Sequence, residues 1–252
     1  MCVVMSKSLM ELTDSQWEKV RKIVPDERRR KYALRLICEA LFYVVKTGCQ
    51  WRLLPPHYPP WQLVYYYFRK WKRDDTLLLL HDKLMEWLRQ KKGKRAEPSC
   101  GIIDSQSVKT TSLGCEARGF DAGKKIKGRK RHLLTDTLGL LIAVVVHSAG
   151  VQDRDGARLL LERAKDRCLK VVFADEAYMG ELEDFVYQTY RWVLLIVRKI
   201  KGVFSQPKRW IVERTFAWIG NDRRNSKDYE RLTESSEAMI QLSMIKTMLK
   251  HF

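Results

Sequence analysis

The stretch "GRKRHLLTDTLGLLIAVVVHSAG", residues 128–150, sets the architecture of the chain. Two apolar runs rich in Leu, Ile and Val flank a polar turn at Thr137–Gly139, the pattern of two strands in a hairpin. Asp136, at the turn, is expected to shape it. Upstream, "CGIIDSQSV" (100–108) is a short apolar run ending in polar residues. Downstream, "KVVFADEAY" (170–178) and "WVLLIVRK" (192–199) read as further strands. They alternate with helices at "DRDGARLLLERAKDR" (153–167) and "GELEDFVYQTY" (180–190). Two more helices, "RWIVERTFAWIGNDRR" (209–224) and "ESSEAMIQLSMIKTMLKHF" (234–252), close the chain. The order β-β-β-α-β-α-β-α-α predicts an α/β unit, one mixed sheet with helices packed on its faces.

Before residue 96 the pattern is helical. Thr13 and Gln16 have the spacing of a capping box and open "DSQWEKVRKIV", which Pro25 closes. "KYALRLICEALFYVVKTG" places Leu34, Ile37, Leu41 and Val45 on one face, with Gly48 as its stop. The prolines of "PPHYPP" impose an extended turn before a helix begins near Trp61. "TLLLLHDKLMEWLRQKK" forms another helix, and "KKGKRAEPS" reads as a linker. The expected division is a small all-helical N-terminal domain, residues 1–96, and a sheet domain, residues 97–252.

The net charge is +18, from 48 Lys and Arg against 30 Asp and Glu, and the excess is present in both parts. A basic surface spread over the whole molecule suits a long polyanion, because each neutralised phosphate releases condensed counterions. The six cysteines are scattered without a C-x-x-C pair, which argues against structural zinc and for reduced thiols. "MCVVMSKSLM" is too short and too quickly interrupted for a signal segment, and "LLLL" at 77–80 is far short of a membrane span. A cytoplasmic location is the expectation.

Asp104 follows "GII" and Asp175 follows "VVFA", so both are expected at or just past the C-terminal ends of strands, where sites form in open α/β sheets. Glu213 lies on the helix after the last strand. Three carboxylates converging from separate elements need cations. Two divalent ions roughly 3.5–4 Å apart would activate an attacking oxygen and stabilise a leaving one. Oxygen ligands favour Mg²⁺ or Mn²⁺ over zinc. Each acid also has an ordinary reading, as a turn former, cap or solvated side chain. Asp153 and Asp155 read as caps of the helix they open, and strand alternation turns Glu176 away from Asp175.

Longer strings decide more. "IIDSQSVKTT", "GRKRHLLTDTLGLLIAVVVHSAGVQDRDGA", "VVFADEAYMG" and "RWIVERTFAWIGNDRRNSKDYE" closely resemble prokaryotic insertion-sequence transposases of the DDE type. "LTDSQWEKV", "LFYVVKTGCQWRLLP" and "PPWQLVYYYFRKW" resemble their helical leader domain, and the last helix resembles their C-terminal one. The match runs in order from about residue 11 to the end.

The resemblance implies a ribonuclease H-like mixed sheet flanked by helices, preceded by the small helical domain. It places the catalytic, metal-holding acids at Asp104, Asp175 and Glu213. It further implies Mg²⁺, with Mn²⁺ as a substitute, and two ions. The implied activity is to bind an element's terminal inverted repeats, cut the strand and join the 3′-hydroxyl to target DNA. A homodimer or larger assembly would form on double-stranded DNA at the nucleoid of a prokaryotic cell. The competing reading is a catalytically decayed copy that acts only as a DNA-binding repressor.

In the family's Tyr-x2-Arg-x3-Glu-x6-Lys pattern, Arg209 matches the Arg, expected near the DNA backbone. Gln206 stands at the Tyr and Gly220 at the Lys, where Gly220 would end or kink the helix. Were the helix to continue, Arg224 would fall one turn on and supply the missing cation. "KKIKGRKR", 124–131, is basic at all but Ile126 and Gly128. It puts Lys124, Lys125, Lys127, Arg129, Lys130 and Arg131 forward as backbone contacts, against the reading of a solvated strand edge. His132 is a phosphate-polarising or a packed residue. In the leader, Arg69, Lys70, Lys72 and Arg73 are candidates for phosphate contacts, while most of the nearby aromatics belong to the core.

Overall fold

The computed structural model describes residues 10–24, 29–111, 115–198 and 208–252. Pro25 and Gln206 lie outside them. Four helices come first: α1 (Asp14–Arg21), α2 (Leu34–Thr47), α3 (Trp61–Arg73) and α4 (Thr76–Lys91). The local chemistry acts as the sequence predicts. Thr13 and Gln16 form the reciprocal capping box of α1, and Gly48 ends α2 in a left-handed conformation at φ 68°.

One six-stranded sheet follows: β1 (Cys100–Lys109), β2 (Gly119–Asp121), β3 (Ile126–Thr135), β4 (Leu141–Ser148), β5 (Val171–Ala174) and β6 (Val193–Ile196). β4 and β1 flank β3 antiparallel, and β5 and β6 extend the sheet parallel to β1. The short β2, paired to the start of β3, was absent from the sequence reading. The helices α5 (Asp153–Arg163), α6 (Glu181–Tyr190), α7 (Arg209–Gly220) and α8 (Thr233–Leu249) complete the fold. This is the ribonuclease H-like mixed sheet with flanking helices, preceded by a helical region.

Strand alternation sends neighbouring residues into different layers. Ile103, Leu134 and Val145 pack against Ala157, Leu160 and Leu161 of α5 and Leu182 and Val186 of α6. Ile102, Leu133 and Val144 face Val212, Phe216 and Ile219 of α7 and Ile240 and Met244 of α8. The other flank of α8 enters the helical core. There Met239, Leu242, Ile245 and Met248 join Leu34, Leu41, Leu84 and Leu88. The apolar packing is therefore continuous across residue 96, with α8 shared by the N-terminal helices and the sheet. A helix buried on most sides shows little amphipathic bias in its sequence.

The turn between β3 and β4 is built by Asp136, whose carboxylate accepts from the Leu138 and Leu140 amides at 2.9 and 2.8 Å and meets the Arg89 guanidinium. Gly139 takes φ 81° there. Among the described residues no helix is long and apolar enough to cross a membrane.

Candidate active site

β1 is longer than its apolar run, so Asp104 lies in mid-strand rather than at its end. The polar stretch after it stays extended because β3 pairs with it as far as Gly128. Ser105 and Ser107 find partners in Asp153 and Asp121. The expectation holds in another sense. Parallel pairing with β5 stops at Ile102 and Phe173, and two residues further on along both strands stand Asp104 and Asp175. Asp175 immediately follows β5 and caps the short turn Glu176–Tyr178 by accepting from the Ala177 amide at 3.0 Å. Glu176 is exposed on that turn.

The Asp104 carboxyl is pushed up to about 6. Burial is the main cause; the Ser105 amide opposes it, Asp175 adds to it, and Arg209 and Lys124 pull it back. Glu213, on α7, is more open, its side chain 58% exposed. Arg209 opens the same helix one turn earlier. Its Nη2 lies 3.6 Å from Asp175 Oδ2 and 3.7 Å from Glu213 Oε1. A guanidinium thus links two of the three acids. Among the described residues no three His, Cys, Asp or Glu side chains converge at metal-binding geometry. The donor set still suits a hard divalent cation: carboxylate oxygens only, one group half-buried and costly to ionise.

Behind Asp104 runs a polar network that the sequence reading missed. Asp153 is not the cap of α5 but its first residue, and Gln152 holds the cap position. Its carboxylate turns inward to Ser105 Oγ and Lys130 Nζ, each 2.9 Å away. Burial pushes Asp153 up, but these contacts outweigh it and hold the group below the usual range. Tyr178 is buried with its hydroxyl 3.4 Å from His132 Nδ1. His132 is packed rather than phosphate-facing. It stacks on His147 with centroids 4.9 Å apart, and burial, then His147, lowers it to about 3. Gly156 is what admits both rings, because a Cβ there would sit 2.4 Å from each Nε2. No local sequence pattern signals these contacts.

The basic run divides in two. Lys124, Lys125 and Lys127 are exposed, and Lys124 Nζ reaches the Ser105 carbonyl at 3.1 Å beside Asp104. Arg129, Lys130 and Arg131 are corrections to the sequence reading. Their exposures are 0, 5 and 2%, and their charges face inward. Arg129 donates to the carbonyls of Glu116, Glu230 and Arg231 and pairs with Asp228 at 3.2 Å. Lys130 donates to the Val151 carbonyl, and Arg131 to those of Asn225 and Lys227. Burial lowers Arg131 to about 10. Arg224 is likewise corrected. α7 stops at Gly220, so Arg224 falls in a separate turn, bonded to Glu230 at 2.7 Å and to the Cys49 carbonyl.

In the helical region Arg69 and Arg73 are exposed on α3. Lys70 pairs with Asp74 at 2.6 Å and Lys72 with Glu234 at 3.2 Å. All four line a groove of about 870 Å³ together with Tyr65, Tyr66 and Leu232.

No curated protein matches the chain. Residues 12–81 match a family described as transposases of the IS4/5 family, and residues 95–247 match the transposase DDE domain. The second match covers more than half of the sequence and contains all three acids, Asp104, Asp175 and Glu213. The chain belongs to the DDE transposases of insertion sequences.

Proposed function

We propose that this protein is a catalytically competent transposase that binds the ends of its element and carries out divalent-ion-dependent strand cleavage and strand transfer. The observation that carries the reading is that Asp104 and Asp175 each stand two residues past the last paired residues of the parallel strands β1 and β5, with Arg209 within 3.7 Å of both Asp175 and Glu213. Asp104, Asp175 and Glu213 would hold the ions, Mg²⁺ or in its place Mn²⁺, in a pair. Bound there, they supply charge neutralisation at the scissile phosphate and at the attacking and leaving oxygens.

The chain's own contribution is placement. Asp104 is fixed by the Ser105 amide at 2.7 Å, and Asp175 by the cap on Ala177. Tyr178 anchors the Asp175 turn to β3, so both acids are oriented before DNA arrives. Lys124, Lys125 and Lys127 would line the approach of the phosphate backbone, with Arg209 nearest the acids. Arg69, Lys70, Lys72 and Arg73 on α3 would contact the terminal repeats. In this division of labour residues 1–96 recognise duplex ends and residues 97–252 cut them. Joining two ends requires at least a dimer on DNA, at the nucleoid.

The test is a supercoiled plasmid carrying the element's ends, incubated with purified protein and Mg²⁺. Nicking that disappears in Asp104→Ala, Asp175→Ala and Glu213→Ala, with DNA binding retained, is the expected outcome. Binding without nicking by the wild-type chain would leave a DNA-binding repressor instead.

A further inference from the structure

Arg209 stands where a cation is needed. Its guanidinium lies within 3.7 Å of carboxylate oxygens of both Asp175 and Glu213. Its side chain is mostly covered, at 19% exposure, while Glu213 beside it is open. Among the described residues the acids form no ready metal cluster. One guanidinium serves two carboxylates that, on the reading above, also serve divalent ions. The same oxygens cannot keep Arg209 close and accept a doubly charged ion without strong repulsion. An ion on these carboxylates therefore weakens the hold of Arg209 on them, and a phosphate is the acceptor best matched to its planar fork.

We infer that Arg209 is a positioning residue that couples DNA binding to ion binding. Without DNA it acts as an internal counter-cation, holding Asp175 and Glu213 together and opposing ion entry. When a DNA phosphate takes the guanidinium, the carboxylates are released to the ions. By linkage the effect is reciprocal: DNA tightens ion binding by the same factor that ions tighten DNA binding. The arrangement keeps the ion site weak until substrate is in place, and it lets a single residue at the start of α7 sense the backbone.

The inference rests on the three acids being the ion ligands, and the experiment separates the two ideas. Mn²⁺ binding to the full chain is followed by the loss of the free-ion electron paramagnetic resonance signal. It is measured with and without a short duplex of random sequence, after subtraction of the ion bound by duplex alone. Wild type should bind Mn²⁺ roughly 5-fold or more tighter with DNA, within the usual range of coupling between sites. Arg209→Gln should bind Mn²⁺ tighter than wild type without DNA and lose most of the DNA effect. Arg209→Lys, which keeps a cation without the fork, should fall between them and guards against a folding defect in the first variant. Equal or weaker Mn²⁺ binding by Arg209→Gln, or no DNA effect in wild type, overturns the coupling. Mn²⁺ binding unchanged by Asp175→Asn would instead remove the acids as ligands.

Discussion

Replacing Asp104 by Asn should make the ion-free protein more stable while abolishing cleavage. The folded state holds the Asp104 carboxyl at about 6, against an ordinary value of 3.8, so it binds a proton more tightly than the unfolded chain does. Stability therefore falls as pH rises from about 4 to about 6, and the full cost is present above that window. Two units at about 1.4 kcal/mol each give about 3 kcal/mol, reduced to about 2 by the partial exposure of the group. Asn keeps an oxygen for the Ser105 amide and removes the charge. At about 2–4 °C per kcal/mol for a chain of this size, the melting temperature should rise by about 4–8 °C. The assay is urea and thermal unfolding in EDTA at about pH 7.5 and again near pH 4. The gain should be present at the higher pH and nearly vanish at the lower. Added Mg²⁺ should stabilise wild type and do little for the variant. No gain at pH 7.5, or an equal gain at both values, would refute the claim that a partly buried carboxylate whose burial is not fully offset sits in the sheet.

Other expectations follow from packing and charge. Gly156→Ala drives a methyl group into the His132 and His147 rings and should cost about 1–3 kcal/mol in urea unfolding. Arg129→Ala leaves the buried Asp228 carboxylate without its guanidinium and the Glu230 carbonyl without its donor, so a loss of about 3–5 kcal/mol should appear as poor folding and not as a selective DNA defect. Arg73→Ala, on the exposed face of α3, should leave stability within about 0.5 kcal/mol and lower the salt slope of DNA binding by about 0.9. A Glu213→Gln change on an open side chain should likewise spare stability while removing nicking.

Features that depend on neighbours along the chain are legible in one dimension. The capping box at Thr13, the left-handed stop at Gly48 and the Asp136 turn are built from residues within a few positions of one another. Strand and helix order, apart from the short β2, followed from apolar periodicity, and the matched strings pointed to Asp104, Asp175 and Glu213. What those residues face depends on contacts between distant parts of the chain. "GRKR" reads as a basic surface in one dimension, yet Arg129 and Arg131 are inside, because their carbonyl partners near residues 225–231 lie about a hundred positions away. Asp153 turned from a cap into a partner of Ser105 for the same reason, across 48 positions. α8 shows no clear apolar face because it has two, one for each core it joins. The placement of Arg209 between two acids depends on β5 and α7 meeting in space. A charge on a sequence has no direction until the fold supplies its partner.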